Sequence, residues 1–272
     1  MIKVSIITTV FNDKRFIESA IKSVLNQSYP NIEYVVKDAG STDGTIDIIK
    51  KYGSSLSKFV SEKDKGIYDG INKAIGLTTG DIIDNLNSDD FYANKDVIKK
   101  VVEAMEKNKA DVCWGDLVYV NRNNPERVMM VWKSSEYKKG KFWWGWVPPH
   151  PTFFVRRSIY EKYGLFNLDF EVAADYELMF RFLEKHKVKS CYIPETLVQM
   201  RVGGESHRTI LNPLKGNWEV LKAWRVNGFK IVPFGIILKP IRRLFIVFHS
   251  FFKNSNYKEF LRMAFKSFLK KR

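Results

Sequence analysis

Between Lys3 and Tyr92, short β-branched runs alternate with stretches of helical apolar spacing, and this alternation constrains the fold more than any other feature. Lys3 to Val10 reads as a buried strand running into the polar loop Phe11-Asn12-Asp13. From Arg15 to Leu25, apolar Phe16, Ile17, Ala20, Ile21, Val24 and Leu25 recur at helical intervals. Ile32 to Val36 is a second strand, and Ser41, Thr42 or Asp43 supplies cap chemistry for a helix reaching about Tyr52. Lys58 to Ser61 is a third strand, Ile67 to Leu77 a helix, and the apolar run Gly80 to Ile83 a fourth strand. Strand and helix alternating at this spacing predict an α/β chain with a parallel, doubly wound sheet.

Two of these strands end in acid. Asp38 closes the second, and Asp89-Asp90 follow the fourth in the stretch Asp84 to Tyr92 (DNLNSDDFY). Open α/β sheets bind ligands at the C-terminal strand ends. Adjacent carboxylates there repel each other unless a cation sits between them and something anionic, and Mg²⁺ or Mn²⁺ bridging to a diphosphate meets that need. The plainer alternative is that Ser88-Asp89-Asp90 only caps the helix near Lys95 to Lys107. No glycine fingerprint follows the first strand, since Thr8-Thr9-Val10-Phe11-Asn12 has no Gly, which argues against a dinucleotide fold. Asp84 falls among apolar strand residues, where an unpaired carboxylate is costly. Either it faces a polar partner or the strand ends before it.

The motifs together resemble bacterial members of glycosyltransferase family 2, which have the GT-A fold. The resemblance is carried by Val4 to Asn12 (VSIITTVFN), Val36 to Thr45 (VKDAGSTDGT), Asp64 to Lys73 (DKGIYDGINK) and Leu86 to Asp90 (LNSDD), and extends over about residues 3 to 206. It implies that the loop Thr8, Thr9, Phe11 and Asn12 holds the base of a UDP-sugar and that Asp38 accepts the uracil N–H. It further implies that Asp89 contacts the ribose or donor sugar and that Asp90 ligates the metal. Asn72 and Lys73 are candidate diphosphate contacts, or else a solvated helix face.

Beyond Asp111, two strands flank an Asn-Asn-Pro turn, followed by the aromatic run Phe142-Trp143-Trp144-Gly145-Trp146. That density suits a platform for sugar rings, or ordinary core packing. His150, before the strand Thr152 to Val155, matches a Pro-His pair in the family and is expected near the acceptor or as a structural histidine. Ala174-Asp175 aligns with the family's catalytic acidic pair, with Ala174 where the family has Glu, and Asp175 is the expected general base. Strands are expected at Lys189 to Ile193 and Leu197 to Val202. The family's metal-binding histidine has Gly203 as its nearest match here, leaving His207 as a candidate ligand.

The charge is unevenly distributed. Leu211 to Arg272 carries 14 Lys and Arg against Glu219 and Glu259, a net of +12, which leaves +3 of the overall +15 for residues 1–210. We therefore expect a GT-A domain at 1–210 and a helical, basic region at 211–272. In the latter, Phe260, Ala264 and Phe268 oppose Lys258, Arg262, Lys266 and Lys270, a basic amphipathic pattern suited to an anionic membrane surface. A non-enzymatic nucleic-acid binder is disfavoured, because the basic residues lie on a Phe-rich tail while the candidate site is acidic. Cys113 and Cys191 read as small core residues of a reducing compartment, and Met1 runs into a strand without a signal peptide. The expected activity is metal-dependent, inverting transfer from a UDP-sugar to a glycan or lipid-linked glycan hydroxyl in surface polysaccharide assembly. It would take place in the cytoplasm, peripherally on the inner face of the membrane. Transfer to a polyprenyl phosphate is the alternative.

Overall fold

The computed structural model describes residues 1–203 and 213–230. β1 (Val4–Val10) and β2 (Ile32–Asp38) are buried almost throughout, as central parallel strands must be. β3 (Lys58–Ser61) is a partly exposed edge, and β4 (Ile82–Asn85) is wholly buried. These four pair in parallel in the order β3-β2-β1-β4. β5 (Phe91–Tyr92), β6 (Val112–Val120), β7 (Val128–Trp132), β8 (Phe154–Arg156) and β9 (Ser190–Arg201) complete one nine-stranded mixed sheet. β8 joins antiparallel between β4 and β6, β9 runs parallel to β6, and β7 hangs from β6 as a hairpin. The two strands expected around Ile193 are the single β9, bent by an irregularity opposite Gly115 and Asp116.

Side-chain alternation divides the core. Ile7, Val35, Ile83, Trp114 and Val155 face one layer; Ile6, Val36, Ile82, Cys113 and Phe154 face the other. α1 (Ile17–Leu25), α2 (Thr45–Lys50) and α4 (Val97–Asn108) cover the second face. α3 (Ile67–Gly76), α5 (Arg157–Tyr163) and α6 (Ala174–Phe180) cover the first. α7 (Pro213–Val226) joins them: its Val220, Ala223 and Trp224 are buried in that core, and Trp224 packs on Phe180 at 4.7 Å. The described residues 213–230 thus pack against the body of the chain. Cys113 and Cys191 lie in register on β6 and β9 as free thiols.

Asp84 stays within β4, 1 % exposed. Its partner is the Tyr92 hydroxyl, which donates to Oδ2 at 2.7 Å, while Oδ1 has no partner among the described residues. Burial pushes its carboxyl up to about 7, against the pull of the Tyr92 hydrogen bond. The folded chain therefore holds a proton that the unfolded chain has lost between about pH 4 and pH 7, so stability falls as pH rises through that window. Asp84→Asn removes the dependence. It should exceed the wild type at pH 8 by up to about 4 kcal/mol and match it near pH 4. Urea unfolding at both pH values reads the difference, and a variant weaker than wild type at pH 8 would overturn this account.

Candidate active site

β1 and β2 end side by side, with Val10 opposite Asp38, so the loops after them leave one edge of the sheet together. Side chains tie those loops to one another. The Asn12 N–H donates to Ser41 Oγ at 2.8 Å, and the Thr42 N–H to Asn12 Oδ1 at 2.8 Å. The Asp13 N–H donates to Thr45 Oγ1 at 2.9 Å, and Ser88 Oγ reaches Asp13 Oδ2 at 2.7 Å from the loop after β4. Asn12 takes a positive φ of 49° to make this junction. Phe11 stands beside it, 62 % exposed, an aromatic face open to a stacking partner.

Asp38 shapes this edge from within. Its carboxylate accepts the N–H groups of Gly40 and Ser41 at 2.9 and 3.0 Å and the hydroxyls of Ser41 and Ser61 at 2.5 and 2.6 Å. It has no exposed surface. Thr8 does not reach the edge. Its hydroxyl pairs with Tyr34 Oη at 3.1 Å inside the core. Thr9 faces α3 instead, near Gly70. A Cβ at Gly70 would lie 2.6 Å from Asp64 Oδ2, so glycine lets the Asp64 carboxylate pack on the helix.

Two further candidates lie on α3 and have protein partners. Asn72 spends both ends of its amide on the backbone of Phe166, donating to its carbonyl at 2.9 Å and accepting its N–H at 3.0 Å. Lys73 sits within 3.1 Å of both Asp64 and Asp69 and donates to the Lys63 carbonyl. The buried Lys37 ammonium shares Asp64 at 2.8 Å.

After β4, the paired acids differ in exposure. Asp90 is 0 % exposed, held by Asn87 Nδ2 at 2.9 Å and by the Arg201 N–H at 3.2 Å. Burial first, and the Asp89 charge second, push its carboxyl well above the usual range. Asp89 lies on the open side and pairs with Arg122 at 3.0 Å. Arg201, itself buried, donates to the Asp89 carbonyl at 2.6 Å. Both guanidiniums stack on Phe16, at 4.4 and 5.0 Å. Burial also raises the carboxyl of Asp13, and the Asp89 charge adds to it. Among the described residues no three His, Cys, Asp or Glu side chains could hold an ion by themselves. The setting nonetheless fits Mg²⁺ or Mn²⁺ bound as such ions often are, by one or two carboxylates with the rest of the shell from phosphate and water. Asp89 is the partly exposed carboxylate of the pair. His207 lies outside the described residues.

On the neighbouring face, Asp175 opens α6, half-buried. Its Oδ1 accepts the Tyr176 N–H at 2.7 Å and lies 3.3 Å from Tyr68 Oη. Tyr68 stacks on Phe166 at 5.6 Å, and His150 meets the same ring edge-on at 5.6 Å. His150 is close enough to feel Asp175: burial lowers its pKa while the Asp175 charge works the other way. The aromatic run divides. Phe142 and Trp146 pack into the core, whereas Trp143 and Trp144 are exposed. Sequence reasoning missed Arg122, Arg201 and Glu219. The first two lie in a hairpin turn and at the end of a strand, and carry no local signal of meeting Asp89.

The Glycosyl transferase family 2 model matches residues 5–164. A glycosyltransferase of uncharacterised activity from Mycobacterium tuberculosis is 33 % identical over 184 residues, covering 65 % of this chain and 68 % of that protein. Chondroitin synthase from Pasteurella multocida is 30 % identical over 199 residues, covering 70 % of this chain but only 20 % of the synthase. Among solved structures, S. aureus TarS superposes with a TM-score of 0.61 at 20 % identity, over 80 % of this chain and 40 % of its own. The mannosyltransferase PcManGT from Pyrobaculum calidifontis, solved with GDP-Man and Mn²⁺, gives 0.62 at 17 % identity, over 98 % of this chain and 74 % of its own.

Proposed function

Since the chain belongs to glycosyl transferase family 2 and is a glycosyltransferase of GT-A fold, we propose that it moves a sugar from a UDP-sugar, with inversion, to a hydroxyl of a lipid-linked glycan in surface polysaccharide assembly. The observation that carries this reading is the placement of Asp175. Its carboxylate stands at a helix start between Tyr68 and His150, with no cation bonded to it among the described residues. Asp175 takes the proton of the acceptor hydroxyl. The oxygen then forms its bond to the anomeric carbon as the bond to the diphosphate oxygen breaks on the opposite face, which inverts the centre. A divalent cation, Mn²⁺ or Mg²⁺, held by Asp89 would supply positive charge to the departing diphosphate. Phe11 and Asn12 border the place for the base, and Asp38 fixes the turn beneath it.

UDP is the carrier expected from the resemblance of the Asp38 turn; of the structural neighbours, TarS was solved with UDP-GlcNAc and PcManGT with GDP-Man. Thermal shift with UDP-GlcNAc, UDP-glucose and GDP-mannose, each with Mn²⁺, tests the donor. A UDP-sugar should stabilise the protein, and a response to GDP-mannose alone would overturn the assignment.

Among the described residues no helix is long and apolar enough to cross a membrane. The basic, Phe-rich sequence 231–272 lies outside the described residues and supports peripheral attachment to an anionic inner membrane face. Full-length protein should sediment with anionic liposomes, less so at high salt, and a chain ending at Lys230 should not. Full-length protein that ignores such liposomes at low salt removes this part of the proposal.

A further inference from the structure

α6 carries Asp175 but has no cap of its own. The residue before it is Ala173, whose side chain cannot accept the N–H groups that a helix start leaves unpaired. Within that first turn the Tyr176 N–H goes to Asp175 itself, and the turn leading into the helix is held from α7. Glu219, 5 % exposed, takes the N–H groups of Val172 and Ala173 on one oxygen at 2.9 and 2.8 Å, and that of Glu171 on the other at 3.2 Å. Two neighbours on the same segment reinforce the joint. Trp224 Nε1 donates to Tyr176 Oη at 2.9 Å, and Asn227 Nδ2 to Glu177 Oε1 at 3.0 Å. The turn so held also places Tyr68, whose hydroxyl lies 3.0 Å from the Val172 carbonyl oxygen and 3.3 Å from Asp175 Oδ1.

On the reading of Asp175 as base, we infer that Glu219 is a positioning residue for it: a carboxylate from α7 that fixes the 171–173 turn and so the direction in which Asp175 meets the acceptor hydroxyl. A carboxylate suits the task because it offers two acceptor oxygens and no donor. Glutamine of the same shape offers one acceptor oxygen, and its NH₂ opposes an N–H. Aspartate keeps the charge but falls one methylene short.

The test is a set of variants of the full-length chain, Glu219→Gln, Glu219→Asp, Asp175→Asn and Asp175→Asn with Glu219→Gln. Each is assayed by UDP release from UDP-N-acetylglucosamine with Mn²⁺, and by calorimetric UDP binding. Glu219→Gln should lower kcat at least ~10-fold with KM for donor and UDP affinity within threefold of wild type, because geometry at the reacting group is lost while the nucleotide edge is untouched. Glu219→Asp should recover part of that loss. Added to Asp175→Asn, Glu219→Gln should cost less than threefold more, since both act through one group. The inference is overturned if Glu219→Gln keeps kcat within twofold, if UDP affinity falls in step with kcat, or if the two losses multiply. If Asp175→Asn itself keeps its kcat, it is the base assignment that fails.

Discussion

Asp175→Asn should leave donor binding near the wild-type level and slow turnover by at least ~10²-fold. The substitution keeps the size of the side chain. Its Oδ1 can still accept the Tyr176 N–H and remain beside Tyr68. What it removes is the ability to accept a proton from the acceptor hydroxyl. His150 provides a check that needs no turnover. The Asp175 charge now favours its protonated form against the opposite effect of burial, so the variant should show His150 titrating lower still by NMR. A fully active variant whose His150 does shift would point to an acceptor that arrives already ionised, such as a polyprenyl phosphate. Parallel loss of donor affinity would instead put Asp175 in the nucleotide site.

The sheet was legible because its physics is local. Ile6 and Ile7, Val35 and Val36, Ile82 and Ile83 alternate faces with period two, and each pair recurs in the two core layers. The acidic strand ends were legible for the same reason, since Asp38 and Asp89-Asp90 follow directly on those runs. What was not legible was the protein partner of each polar side chain. Asn72 and Thr8 carry the residue types of a binding site, yet their partners are protein: the Phe166 backbone, 94 positions away, and the Tyr34 hydroxyl. Buried polar groups must be satisfied somewhere, and sequence does not say where. Charge grouped helix α7 with the tail. Val220, Ala223 and Trp224 form a stripe at helical spacing, but the +12 of residues 211–272 drew the whole region toward the membrane. Glu219 looked like an exception to that charge, and its hold on the 171–173 turn has no local signature.

Between the paired acids, loss of Asp89 should cost metal-linked nucleotide binding and loss of Asp90 should not. Asp90 is enclosed, with both oxygens already accepting hydrogen bonds from Asn87 and the Arg201 backbone. Its position favours the neutral form, so Asp90→Asn replaces a buried acid with a near-equal shape and charge. UDP affinity in Mn²⁺ should stay within about threefold. Asp89→Asn removes the one carboxylate of the pair that solvent reaches and should weaken the Mn²⁺-dependent part of UDP binding by at least ~10-fold. Its other effect is to free Arg122, and Arg122→Gln separates the two. That variant breaks the ion pair while sparing the carboxylate. Because the pair is partly exposed, its loss is worth about 1 kcal/mol or less. A cation and a guanidinium compete for the same Asp89 oxygen, so Arg122→Gln should leave Mn²⁺ binding unchanged or tighter, never weaker. Calorimetry with and without Mn²⁺ reads all three. If Asp90→Asn loses the metal response and Asp89→Asn keeps it, the buried acid must open to solvent when donor binds, and the assignment returns to Asp90.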